Sequence, residues 1–183
     1  MDDASNLREE RIGGKRVYEG RILDLEVDRV RLPSGVEALR EVVRHRGAVV
    51  ILPLHEDRRV EFVRQYRYPM EGVLLELPAG KLDPGEDPRE CAGRELAEET
   101  GWQPVEIHEL GSFFTTPGFS DEVLHAFIAT PLKPAPDVAR DPDEAIENVT
   151  MTVDEALAAC RNGNIRDSKT LATFLLAQLH GWI

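Results

Sequence analysis

The chain has little that could staple it together from outside its own core. Its two cysteines, Cys91 and Cys160, stand at no paired or metal-binding spacing. That argues against a disulfide scaffold or a zinc ribbon and for a reduced compartment. No apolar run is long enough to cross a bilayer. The N-terminus, Met-Asp-Asp-Ala-Ser-Asn, is acidic and polar, unlike a secretory leader, so the expected location is cytoplasmic. Basic residues are in deficit, 22 against 34 acidic, for a formal net charge of -12. That disfavours nonspecific binding to nucleic acid or to an anionic membrane, and neither partner is expected. A phosphate-bearing small molecule is not excluded, because a bound cation inverts the local field. The five histidines, at positions 45, 55, 108, 125 and 180, are scattered and form no ligand cluster. There is no Gly-Lys-Ser/Thr phosphate loop and no internal repeat. What remains is ordinary for a folded domain: 42% hydrophobic and 31% charged residues in 183.

Against that plain background one stretch stands out, Gly80 to Trp102. Gly80, Pro84 and Gly85 belong to a tight loop. Asp87 is suited to cap a helix and Pro88 to its first turn. The helix is predicted to run to about Thr100, where Gly101 adopts the left-handed conformation that ends it. Glu95, Glu98 and Glu99 then share one face, one turn apart, with Arg94 as the nearby cation. Three carboxylates on one turn repel each other, and that arrangement makes sense if they hold a hard divalent cation. The plainer reading is a solvated acidic face with an i,i+4 Arg–Glu pair.

The spacing decides between these readings. Gly80, five residues, Glu86, seven residues, then Arg94-Glu95-Leu96-Ala97-Glu98-Glu99-Thr100-Gly101-Trp102 resembles the Nudix hydrolase box at every defining position. A softer resemblance to its ADP-ribose pyrophosphatase branch runs from about Lys15 to His180. The resemblance implies an α/β fold, a Nudix-like α/β/α sandwich with a mixed sheet and an N-terminal antiparallel β extension. It implies Mg²⁺ or Mn²⁺ held by Glu95, Glu99 and the Ala79 carbonyl, with Glu98 as a direct or water-mediated ligand and counted among the catalytic residues. Glu86 and Arg94 are expected to orient the ligating helix rather than to touch substrate.

Substrate contacts are expected from four places. Val63-Arg64-Gln65-Tyr66-Arg67 is similar to a run that sets an arginine over the diphosphate or terminal ribose, which singles out Arg67. Glu76, among alternating leucines before the box, either caps loop amides or touches substrate. Thr116-Pro117-Gly118, with Pro117 fifteen residues beyond Trp102, is similar to the ADP-ribose branch, although a plain turn also explains it. Arg21 and Ile22 either reach a partner subunit's adenine site or pack within their own subunit. The loop Pro131–Pro142 carries four prolines and ends in acids. Relatives carry a mobile glutamate there that serves as general base, which points to Glu144, with Asp143 and Glu147 as rivals.

Along the rest of the chain, residues 1 to about 14 are expected to be loosely attached. Leu23, Leu25 and Val27 alternate with acids as a half-buried strand, and a change of phase before Val30 suggests a bulge near Arg29. Pro33-Ser34-Gly35 turns the chain into a return strand to Arg44. Val49–Leu54 suits a central strand. The last helix is predicted to bury Leu171, Phe174, Leu175 and Gln178 or Leu179.

The expected organisation is an N-terminal unit, 1–44, exchanged between the subunits of a homodimer, and a hydrolase domain, 45–183. The expected function is metal-dependent hydrolysis of a small nucleoside diphosphate derivative, ADP-ribose to AMP and ribose 5-phosphate. Two alternatives stand beside it: a hydrolase of GDP-mannose or another nucleotide sugar, and a noncatalytic nucleotide-binding module. The second alternative sits poorly with a box whose four glutamates are all present.

Overall fold

The computed structural model describes residues 6–135 and 145–183. The chain divides into two compact units, Met1–His45 with Phe114–Val123, and Arg46–Phe113 with Leu124–Ile183.

The first unit is an antiparallel meander of β1 (Glu10–Glu19), β2 (Asp24–Arg31) and β3 (Glu37–Arg44). Leu32 to Val36 makes the expected tight turn, with the Val36 carbonyl accepting from the Leu32 N–H at 2.9 Å. Two expectations are corrected here. Residues 10–14 are not loosely attached but form the start of β1. They are held by charge, since Arg11 reaches the buried Asp28 at 2.8 Å and Glu10 pairs with Arg31. The β2–β3 register is unbroken through Arg29, so the expected irregularity is not an extra residue on β2. It falls on the neighbouring strand: β1 is irregular between Arg11 and Gly13, opposite Val30 and Arg29, and again between Arg16 and Tyr18. A Cβ at position 14 would lie 2.0 Å from an Asp28 oxygen, so the Asp28 carboxylate occupies the space beside Gly14. The segment 114–123 hangs on β3. Val43 N–H donates to the Phe119 carbonyl at 2.7 Å, and Arg44 spans Glu26 (3.0 Å), Asp28 (3.1 Å) and Asp121 (3.2 Å).

The second unit is built on β4 (Ala48–Pro53), every residue of which is buried. It pairs in parallel with β10 (Val123–Ala129) and antiparallel with β7 (Ala79–Lys81), and β9 (Ile107–Phe114) completes a mixed sheet in the order β7-β4-β10-β9. A second sheet sets β5 (Arg59–Arg67) between β12 (Ile146–Thr152) and β6 (Gly72–Glu76). Short β8 (Trp102–Pro104) and β11 (Leu132–Pro134) pair with each other.

Alternation along β4 sends its side chains two ways. Val49 and Ile51 pack with Cys91, Ala92 and Leu96 of helix α1 (Pro88–Thr100). Val50 and Leu52 pack in a cluster with Phe62, with Ala156 of α2 (Val153–Asn162) and with Phe174 and Ala177 of α3 (Ser168–Leu179). A side chain such as Leu96 or Ile51, wholly buried, contributes roughly 1.5–3 kcal/mol. The docking of α1 therefore rests on this apolar side and leaves its acidic side for other work. Helix α2 starts at a capping box in which Thr152 and Glu155 satisfy each other's backbone N–H groups.

The predicted stripe on α3 is corrected. Phe174 is buried as expected, but Thr170, Thr173 and Ala177 are its companions, while Leu175 is 56% exposed and Leu171 and Leu179 are also exposed. Small side chains allow the helix to approach the sheet closely, and that face packs inward in preference to the leucine face. Among the described residues no helix is long and apolar enough to cross a membrane.

Candidate active site

Helix α1 is framed by the caps the sequence predicts. The Asp87 carboxylate accepts the Arg89 N–H at 2.8 Å, and Gly101 closes the helix at φ 75°. Its acidic side meets the strand that opens the box. Buried Glu99 accepts the Ala79 N–H at 3.1 Å. Glu95 lies directly over Gly80, where a Cβ would fall 1.8–2.3 Å from the three carboxyl atoms. The glycine is thus the space in which the Glu95 carboxyl sits. Asn148 of β12 donates to the Glu99 carbonyl at 3.1 Å and ties the helix end to the second sheet.

Arg94 organises the remaining carboxylates. Its Nε and Nη2 donate to Glu86 at 2.9 and 3.0 Å, and its Nη1 to Glu95 at 2.8 Å and Glu98 at 3.1 Å. Glu86 also accepts the Asp83 N–H at 2.9 Å. The Arg94 hydrogen bond, opposed by burial and helped by the Asp83 N–H, holds the Glu86 carboxyl down to about 2. Arg94 is raised far above its usual value, chiefly by Glu86. Burial, followed by the neighbouring Glu86, pushes the Cys91 thiol up to about 12, so it stays a protonated packing residue.

The donor set fits a hard cation. Glu95 and Glu99 converge on the Ala79–Gly80 peptides and offer oxygen ligands only. Among the described residues, no three His, Cys, Asp or Glu side chains already form a ligand cluster. Arg94 instead balances Glu95 and Glu98, so a cation taking those carboxylates takes them from Arg94.

Arg67 closes β5 and grips Glu76 through Nε (3.1 Å) and Nη2 (2.6 Å). Glu76 is 1% exposed and Arg67 40%. The Glu76 hydrogen bond raises Arg67 against the effect of burial, and the Glu99 charge adds to it, which sets Arg67 in the field of the box helix. Burial would raise the Glu76 carboxyl, but the hydrogen bond from Arg67 and the charge of Lys169 override it and keep the group ionised below its usual range.

Lys169 is the residue that sequence reasoning missed. Its ammonium lies 2.7 Å from Glu76 and 3.0 Å from Asp167. A signal was available: a lysine in the first turn of α3 is opposed by the helix dipole and so calls for a carboxylate partner.

Other expected residues stand on other elements. Glu147 stands in β12 and pairs with Arg64. Asp143 and Glu144 lie outside the described residues. Pro117 and Gly118 belong to the first unit, in a turn where Phe119 and Ser120 donate to the Thr116 carbonyl at 3.1 and 2.9 Å. Arg21 and Ile22 occupy the β1–β2 connection of the same unit, and Ile22 is 61% exposed.

Comparison with known proteins gives the family. The NUDIX domain family matches residues 43–174, and the nucleoside diphosphate sugar hydrolase N-terminal domain matches residues 9–43. A Bacillus methanolicus protein named methanol dehydrogenase activator is 42% identical over 172 residues, 93% of each chain. The ADP-ribose pyrophosphatase of Bacillus subtilis (strain 168) is 37% identical over 175 residues, 95% of each. A solved ADP compounds hydrolase superposes with a TM-score of 0.84 over 97% of this chain and 98% of its own, at 21% identity, a likeness of fold alone. With its box carboxylates gathered at Ala79–Gly80 and relatives matching along almost its whole length, the chain belongs to the NUDIX domain family.

Proposed function

We propose that the chain hydrolyses the diphosphate bond of ADP-ribose, giving AMP and ribose 5-phosphate. The observation that carries this reading is the approach of Glu95 and Glu99 to the Ala79–Gly80 peptides. The match of residues 9–43 to a nucleoside diphosphate sugar hydrolase domain and the identity to an ADP-ribose pyrophosphatase support the substrate class.

The family generally uses divalent metal ions, and Glu95, Glu99 and the Ala79 carbonyl, with Glu98 directly or through water, would hold Mg²⁺ or Mn²⁺. When bound, such an ion neutralises the diphosphate and lowers the pKa of a water. The protein does the rest. Arg67 pairs with phosphate oxygens through the edge of its guanidinium that Glu76 leaves uncovered. Arg94 and Glu86 fix the pitch of the ligating helix. Pro117 and Gly118 are read as substrate contacts only on their similarity to the ADP-ribose branch. Glu144 takes the proton as water oxygen bonds to phosphorus and the bridging P–O bond breaks, because carboxylates engaged with a cation are poor bases. We read the protein as a cytoplasmic homodimer in which Arg21 and Ile22 of one subunit reach the other's adenine site. A stable, fully active monomer in sedimentation would overturn the exchange.

The decisive test is product analysis over ADP-ribose, GDP-mannose and other nucleoside diphosphate derivatives with Mg²⁺ and with Mn²⁺. AMP and ribose 5-phosphate from ADP-ribose are expected. GMP and mannose 1-phosphate from GDP-mannose, with ADP-ribose left intact, would overturn the substrate in favour of the nucleotide-sugar reading. A second reading is favoured by the relative named for activating a dehydrogenase. If this chain served only as a binding module, no member of the panel would be cleaved.

A further inference from the structure

We propose that Lys169 is a positioning residue for Arg67, acting through Glu76, so that Arg67 keeps a usable charge for the substrate's diphosphate. This rests on the reading of Arg67 as a substrate contact. Four side chains form a continuous line, Asp167–Lys169–Glu76–Arg67, with contacts of 3.0, 2.7 and 2.6 Å.

The line starts from a fixed point. Asp167 caps α3, accepting the Thr170 N–H at 3.0 Å and its hydroxyl at 2.6 Å. The same hydroxyl oxygen accepts the Leu77 N–H at 2.9 Å, so the helix start is pinned to the segment that carries Glu76. Lys169, 14% exposed, has little freedom beyond its two carboxylate partners.

The function lies in the division of one carboxylate between two cations. Glu76 is buried, and a buried carboxylate requires compensation. A single arginine facing it would be neutralised by it. Here Lys169 and the Arg67 Nη2 share Oε2, while the Arg67 Nε takes Oε1. Lys169 thus carries part of the Glu76 charge, and the partly exposed guanidinium is held in orientation without being cancelled. An anion arriving from solvent meets a fixed, incompletely neutralised fork, the geometry that phosphate oxygens accept in pairs.

The test is a double-mutant cycle on KM for ADP-ribose at saturating Mg²⁺, using the full chain. Lys169→Met is expected to raise KM on the order of tenfold, the scale of one charge-assisted hydrogen bond, with kcat changed much less. In an Arg67→Ala background the same substitution should change KM little, and Lys169→Arg should retain most of the wild-type value. A structural role would instead shift KM by the same factor in both backgrounds, which overturns the proposal. An unchanged KM in Lys169→Met overturns it as well. If Arg67→Ala itself leaves KM unaltered, the assignment of Arg67 falls, and the proposal with it. Should Lys169→Met not fold, Lys169→Gln, which keeps a donor for Glu76, takes its place in the cycle with the same criteria.

Discussion

Replacing Gly80 with alanine puts a methyl group where the Glu95 carboxyl lies. The added Cβ would stand 1.8 Å from the nearest carboxyl atom, and ordinary contact begins near 3.4 Å, so the group must retreat by about 1.6 Å. For the fold this is inexpensive. Glu95 ends in a flexible chain, and alanine in a strand is itself favoured over glycine by roughly 0.5–1 kcal/mol. For a site that needs the carboxyl at one place it is severe, since a misplacement of about 1 Å costs on the order of 10²-fold in rate. Gly80→Ala is therefore expected to melt within a few degrees of wild type and to lose about 10²-fold or more in kcat/KM for ADP-ribose, with a higher Mg²⁺ requirement. The assay is a Mg²⁺ titration of turnover beside circular-dichroism melts. A variant that melts normally and turns over within threefold of wild type would refute the placement of Glu95 as a ligand.

Further outcomes follow from the same geometry. Gly93→Ala, in the box helix with open space around the added Cβ, should gain up to about 1 kcal/mol of stability at unchanged activity, read by denaturant titration. Glu86→Gln should destabilise the metal-free protein at neutral pH. Because the folded-state value of Glu86 is depressed from 4.5 to about 2, its contribution is present above 4.5 and lost as pH falls toward 2, so the two melting curves should converge on acidification. A deficit that does not shrink would sink that linkage. Glu144→Gln should lower kcat by about 10²–10⁴-fold with little change in substrate affinity. The same assay on Asp143→Asn and Glu147→Gln decides between the three acids, and Glu147, paired with Arg64, is expected to tolerate the change.

Local chemistry was the legible part of this chain. Asp87, Pro88 and Gly101 set the ends of α1 because caps act over three or four residues. The apolar run at β4 announced a strand buried on both faces. Contacts across long separations were not legible. Glu76 meets Lys169 across 93 residues, and nothing near either residue in sequence names the other. The same holds for β1, whose charged residues looked like a loose tail until Arg11 met Asp28 and Glu10 met Arg31. On α3 periodicity pointed to the leucines, whereas the face that packs inward carries Thr170, Thr173 and Ala177 beside Phe174. Within the site, the shared face of Glu95, Glu98 and Glu99 was readable from spacing, but the grip of Arg94 on Glu86 and Glu95 together needed three dimensions.

The central claim is that the acidic side of α1 serves chemistry rather than solubility. Turnover of ADP-ribose by Glu95→Gln and Glu99→Gln, at saturating Mg²⁺ and with folding checked by circular dichroism, tests it most directly. Each substitution keeps the shape of the side chain and removes a charged ligand. Activity near background in both folded variants is the predicted result. Near-wild-type turnover in either would contradict the account.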